Sequence, residues 1–356
     1  MWELHKQLSD RLNRIDFELI WPGFKRYEFA IYTSEKVQFD NSEIPWDDRF
    51  VGNTSIHYDG SYVAIWDVEH DFMNDDSRDI DILAANIVHE MFHAYQQENG
   101  EKRWPKDLVT IKYPNNIENF NLKYEENKLL ADAFEQQDLV KKRTLFNYFC
   151  GIRQKRESLI GTMCECEYLT ETAEGMAEYA GMLALKMLSM SKYTSKVMTY
   201  VKLLRDFTAI QLNIRKISYY SGAIMLLTAN DMNINIVHSI SNENRTVFRI
   251  ISQFFSSKLP DNLYYEHKIK TIVEEIENLN RKEVEQFLEQ KRIKQNGDFY
   301  ISGYDPMNMF RVDNYILCKT FVRLTDESTN ESIMFIGKTL LEMRLESVNQ
   351  VCSYYR

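Results

Sequence analysis

The stretch Asn86–Gly100, NIVHEMFHAYQQENG, holds a His-Glu-x-x-His pattern at His89, Glu90 and His93. Residues four apart on an α-helix share a face one turn apart, so both imidazoles can reach one tetrahedral zinc ion at about 2.0–2.1 Å each. Glu90 lies about a quarter turn round from His89. That is poor placement for a third ligand and good placement for taking a proton from a zinc-bound water. The same five residues also read as one turn of a buried helix whose histidines hydrogen-bond to carbonyls. A third ligand elsewhere in the chain decides between the two.

Outward from the motif, Ile80, Leu83, Ala84, Ile87, Val88, Met91 and Phe92 recur at three-and-four spacing, which predicts a helix that Asp76 or Ser77 caps and Gly100 ends. Roughly the first 75 residues read as strand-rich. YEFAIYT and VGNTSIHYDGSYVAIWDV carry aromatic and β-branched residues, and Asp59-Gly60 marks a tight hairpin. From about Asn121 to Ile293 long amphipathic runs with few Gly or Pro predict helices, and after KQNGD the runs FYISGYD, NYILCKTFVRL and SIMFIGKTL predict strands. The expected fold class is α+β, with an N-terminal β layer plus the motif helix (1–120), a helical subdomain (121–293) and a C-terminal β-rich segment (294–356). Whether GYDPMNMFRVDNYILCKTFVRL faces a substrate or only caps the structure stays open at this level.

Composition narrows the function. Lys and Arg total 43 against 53 Asp and Glu, a net charge of −10, which argues against a broad phosphate-binding face and so against nucleic acid as partner. No run of about 18 apolar residues predicts a membrane span. Charges interrupt the first residues too often for a signal peptide. The five cysteines, Cys150, Cys164, Cys166, Cys318 and Cys352, are an odd number, as expected of reduced thiols in a cytoplasmic protein.

Downstream, EYLTETAEGMAEYAG sets Glu167, Glu171, Glu174 and Glu178 at spacings of four, three and four, on one helix face. Such a row is often a solvated acidic stripe. Here Met176, Ala177, Tyr179, Ala180, Met182, Leu183 and Leu185 make the helix largely apolar, and buried carboxylates need a cation.

His89-Glu90-x-x-His93 followed by EGMAEY resembles the gluzincin metallopeptidases, zincin-fold enzymes in which a Glu on a second helix completes a two-histidine zinc site. Aminopeptidase-N-like and clostridial-collagenase-like members carry a Glu-Gly-x-Ala segment there, and the resemblance implies Glu174 as the third zinc ligand. Thermolysin-like members place a carboxylate four residues on, hydrogen-bonded to the first His, which implies that role for Glu178. Glu171 is the alternative for either place. SYYSGAIMLL is similar to the Tyr-x-x-Gly-Ala segment of aminopeptidase-N-like enzymes, and this implies Tyr219 as the oxyanion donor, with Tyr220 and His238 as alternatives. The 81 residues from His93 to Glu174 exceed the short spacer of those enzymes, and their amine-gripping Gly-x-Met-x-Asn motif is absent, so aminopeptidase specificity does not carry over. The chain also resembles uncharacterised bacterial proteins with WPGF near the start and HExFHxxQ on the helix.

The expectation is a zinc-dependent peptidase acting on a peptide or protein substrate, with His89, His93 and Glu174 as ligands and Glu90 as general base. The alternative is a zinc-binding protein without catalysis, acting as an interaction module. A metal-free helical binding protein is a further one. Oligomeric state and substrate preference are not legible in the sequence.

Overall fold

A computed structural model describes residues 1–71, 79–236, 240, 243–263, 265–290 and 293–356. The fold is mixed α+β. It departs from the strand-rich expectation at the start, where α1 (Trp2–Leu12) and α2 (Phe17–Ile20) precede any strand. Frequent charges conceal a helical period there, since His5, Leu8 and Leu12 share the one buried face of α1. The WPGF segment then turns at Gly23, whose φ is +77°, and sets Trp21 and Phe24 edge-on to Phe92 at ring separations of 5.3 and 5.1 Å.

Strands β1 (Glu28–Tyr32), β2 (Lys36–Gln38), β3 (Glu43–Pro45), β4 (Thr54–Tyr58) and β5 (Ser61–Asp67) form a sheet in the order β3-β2-β1-β5-β4. β4 and β5 are the expected hairpin. Asp59 and Gly60 both take positive φ, +46° and +83°, the turn that matches strand twist. β1 and β5 pair in parallel, and both faces are apolar. Phe29, Ile31, Ala64 and Trp66 join the main core, while Ala30, Tyr32, Val63 and Ile65 pack with Phe39 and Phe50 on the far side. β4 is one edge of this sheet.

After α3 (Val68–Asp71) the motif helix α4 (Ile80–Glu98) begins at Asp79, whose carboxylate accepts from Asp81 N and Ile82 N at 2.9 and 3.2 Å. The expected caps Asp76 and Ser77 lie outside the described residues. α4 is buried from Leu83 to Gln96 except at Asn86, packing on β4 and β5 and on the later helix α8 (Met163–Leu188). Gly100, at φ +72°, follows its end as expected.

Between them run α5 (Asp107–Thr110), α6 (Ile117–Glu135) and α7 (Leu139–Ile160). The runs LKYEENKLLADAFEQQDLVKKRTLFNYF and IRQKRESLIGTMCECEYLTETAEGMAEYAGMLALKMLSM, each continuous in its amphipathic pattern, are each broken. Asp138 caps α7 through Val140 N and Lys141 N, and Gly161 at φ +59° separates α7 from α8. α9 (Met190–Arg205) and α10 (Ile214–Asp231) then fold back on α8. The approach of α8 to α10 is that of bare backbone: a Cβ on Gly175 would lie 2.6 Å from Gly222 Cα. Only glycine allows it.

α11 (Val247–Ser252) and α12 (Lys268–Glu289) complete the helical body. The remaining strands, β6 (Lys294–Tyr304), β7 (Met309–Val312), β8 (Tyr315–Cys318), β9 (Phe321–Asp326), β10 (Ser332–Ile336), β11 (Thr339–Met343) and β12 (Gln350–Tyr355), form a second sheet, ordered β10-β9-β6-β12-β11-β8-β7. Every pairing in it is antiparallel. It divides NYILCKTFVRL into β8 and β9, and SIMFIGKTL into β10 and β11 about Gly337 at φ +91°. Leu317 and Leu340 pack on Val284 and Phe287 of α12, which ties the sheet to the helices. No helix among the described residues is long and apolar enough to cross a membrane.

Candidate metal centre

Helical spacing puts His89, Glu90 and His93 together on α4, and one ligand atom from each lies within 4.8 Å of the others. All three are buried. From α8, Glu174 turns one carboxylate oxygen, Oε2, to both rings, 3.1 Å from His93 Nε2 and 3.5 Å from His89 Nε2. Two ligands of a tetrahedral zinc, each about 2.05 Å from the ion, stand about 3.3 Å apart. The two Glu174–histidine separations bracket that value, so Glu174 and each histidine suit a shared metal ion of this coordination.

The outer ring atoms are fixed as well. His89 Nδ1 lies 3.0 Å from Glu178 Oε2, and His93 Nδ1 lies 2.7 Å from Gln96 Oε1. The Gln96 amide is oriented by its own donation to Ala173 O at 3.1 Å. Both partners are acceptors, so each Nδ1 carries the proton and each Nε2 presents its lone pair inward. Two lone pairs and a carboxylate oxygen then converge on one point, and only a cation, a proton or a metal ion, relieves that arrangement.

The charges around the site say the same. Burial pushes His89 down, but Glu174 and Glu178 outweigh it and hold the imidazole up at about 10. Burial raises Glu174 too, and Arg215 with His93 overcomes it, so the carboxylate sits well below its usual range. Glu178 is likewise lowered against burial, by Lys196 and His89. Glu90 differs. Burial pushes it up, and the pull of His89 and His93 does not cancel the rise. Of Glu90, Glu174 and Glu178, it is the one whose proton affinity is lifted.

A further layer of side chains was not foreseen from the sequence. Arg215 on α10 donates from Nη2 to Glu174 Oε1 at 2.6 Å and from Nη1 to Asp107 at the start of α5. One Glu174 oxygen is thereby held away from the histidines and the other is left facing them. On α9, Lys196 and Tyr200 both reach Glu178 Oε1, at 2.8 and 2.7 Å. Gln96 had a signal, its spacing of three from His93 on the helix. Arg215 had a weaker one, its place four before Tyr219. Lys196 and Tyr200 had none, because only the packing of α9 on α8 brings them in.

Neither a family model nor a curated protein nor a solved structure matches this chain. The residues themselves carry the argument.

Of the other residues singled out in the sequence, Tyr219 lies beside the centre, its ring parallel to that of His89 within 7° and 5.7 Å away. Tyr220 instead packs on Tyr200 at 4.3 Å. His238 lies outside the described residues. Glu171 does not reach the histidines. Arg153 grips both its oxygens and Ser221 donates to one at 2.6 Å. Glu167 is held by Arg156 and Lys123. The four carboxylates of α8 do form one buried row, yet arginine and lysine neutralise its first two, and the last two serve the histidines.

Proposed function

We propose that this protein is a zinc-dependent peptidase with a zincin-like arrangement of the gluzincin kind. One observation carries the reading: Glu174 Oε2 stands 3.1 Å from His93 Nε2 and 3.5 Å from His89 Nε2, two separations that suit ligands sharing a tetrahedral zinc, with a buried Glu90 beside them. His89, His93 and Glu174 would hold the ion. Bound zinc supplies Lewis acidity, polarising a carbonyl and making water acidic enough to ionise near neutral pH.

The chain's own groups do the rest. Glu90 accepts the proton of the attacking water on its carboxylate and returns it to the leaving amine. Its raised proton affinity suits that exchange, since a carboxylate of ordinary pKa would release the proton to solvent less reluctantly but take it up poorly. Tyr219, held protonated by burial and by Glu174, offers a hydroxyl to the oxyanion as the carbonyl becomes tetrahedral. Gln96 and Glu178 keep the two imidazoles in one tautomer and orientation. Among the described residues β4 pairs on one side only, which leaves its other side for main-chain pairing with an extended peptide, and proline at exposed His57 is expected to reduce cleavage of long peptides.

The test is zinc content with peptide-library cleavage for the wild type, Glu90→Gln and Glu174→Ala. About one zinc per chain with cleavage is expected of the wild type, zinc without cleavage of Glu90→Gln, and loss of both of Glu174→Ala. Zinc in the wild type without cleavage of any library member would leave a metal-binding protein with no peptidase activity.

A further inference from the structure

The C-terminal sheet closes one side of a cleft of about 420 Å³, whose other walls are α5, α10 and α12. The β6–β7 turn at Pro306–Asn308 and strand β7 line it, and so do Arg215 and Asp107. Because Arg215 also holds Glu174, it links the cleft to the candidate metal centre.

Its charge is unlike that of the whole chain. Asp107 and Glu277 are the acids of the lining, against Arg215, Lys319 and Arg311. Asp107 is taken by Arg215, and Lys319 pairs with Glu283 at 2.9 Å. Arg311 is different. Its Nε donates to the backbone oxygen of Asp313 at 2.8 Å, its Nη1 is shut away from solvent without an acceptor, and no acid pairs with it among the described residues. Arg215 Nε likewise has no acceptor. A second cation stands near Arg311: Lys112, which donates to Ser347 O at 3.2 Å, is pushed down by burial and by the Arg311 charge. Arg311 thus lines the cleft with no acid paired to it, and with Lys112 close behind it the positive charge there is one that an incoming anion offsets.

We propose that this cleft takes a carboxylate-bearing part of the peptide substrate, and that Arg311 is the residue that recognises the carboxylate. With Nε bonded to Asp313 O and Nη1 enclosed, Arg311 meets a carboxylate through a charge-assisted hydrogen bond from its remaining nitrogen, Nη2. The peptide nature of the ligand rests on the peptidase reading; the carboxylate preference rests on the cleft alone. The carboxylate is that of a chain terminus or of an Asp or Glu side chain.

Fluorescein-labelled hexapeptides distinguish these sources by anisotropy on zinc-loaded Glu90→Gln protein, which binds without turnover. One pair differs in a free or amidated C-terminus, and a second, amidated pair in an internal Glu or Gln. The carboxylate-bearing member of at least one pair is expected to bind roughly ten- to hundredfold tighter than its neutral twin. Arg311→Gln, added to the same protein, should erase that difference and Arg311→Lys restore part of it, with zinc content unchanged in both. Equal binding within both pairs, or a difference that survives Arg311→Gln, overturns the assignment. Cleavage by the wild type is read separately. Cleavage without any Arg311-dependent binding removes the carboxylate site and keeps the peptidase, whereas Arg311-dependent binding without cleavage does the reverse.

Discussion

Replacing Gly175 by alanine tests whether the close crossing of α8 and α10 builds the metal centre. The added Cβ would meet Gly222 Cα at 2.6 Å and Gly222 C at 2.9 Å. Carbon atoms rest at about 3.5 Å or more, so the helices must part by about 0.9 Å. No rotamer change relieves the clash, because both obstructing atoms are backbone. Overpacking of this kind costs about 3 kcal/mol at the upper end of its usual range, and the better helix propensity of alanine returns about 1. The net expectation is a loss of about 2 kcal/mol, and a Tm lower by about 3 °C in a chain of 356 residues.

The same displacement reaches the site. Arg215 rides on α10 and Glu174 on α8, so their 2.6 Å hydrogen bond would stretch to about 3.5 Å, the limit of such a bond. Zinc affinity, measured by competition with a chromophoric chelator, should fall about 10- to 100-fold, as when an outer partner of a metal ligand is lost. Gly222→Ala meets Gly175 Cα at 2.8 Å and Glu171 O at 2.7 Å, and should behave alike. The double variant should cost less than the sum, since one separation serves both. A Gly175→Ala protein as stable as the wild type, binding zinc equally well, would refute the reasoning.

Other outcomes follow from the same geometry. In the metal-free chain His89 keeps its proton up to about pH 10, and that contribution to stability, complete below about 6.5, is lost as pH rises between the two. Zinc must displace this proton, so its affinity should rise about tenfold per pH unit from pH 6 to 9, and calorimetry in two buffers should count about one proton released; affinity independent of pH would contradict the assignment. Tyr219→Phe should lower kcat by about 10²- to 10³-fold with zinc content and KM held, whereas a change in KM alone would remove Tyr219 from the oxyanion role. Gln96→Leu leaves the His93 Nδ1 hydrogen buried without an acceptor, and zinc should bind about 10- to 100-fold more weakly by the same chelator assay.

Much of this was legible in the order of residues, for reasons of local geometry. The three-and-four spacing that makes α4 a helix also sets His89 above His93, and the Asp59-Gly60 pair needs the positive φ values that only such a turn supplies. The helix at the very start is concealed in the sequence because its polar face carries many charges and its buried face is narrow. The divided helices and strands are hidden where a single residue, Asp138, Gly161 or Gly337, ends an element inside an otherwise continuous apolar pattern.

By itself the sequence determined which side chains can cooperate within one helix: His89 with Glu90 and His93, and Glu174 with Glu178. Helical periodicity is a property of the local backbone, so spacing alone conveys it. Which carboxylate of the α8 row meets the histidines was decided by tertiary structure. Arg153 and Arg156 of α7 and Lys123 of α6 claim Glu171 and Glu167, and the glycine contacts of α8 with α10 bring Arg215 to Glu174. Those partners lie between 11 and 44 residues from the carboxylates they hold, and interactions at such separations exist only once the helices have packed.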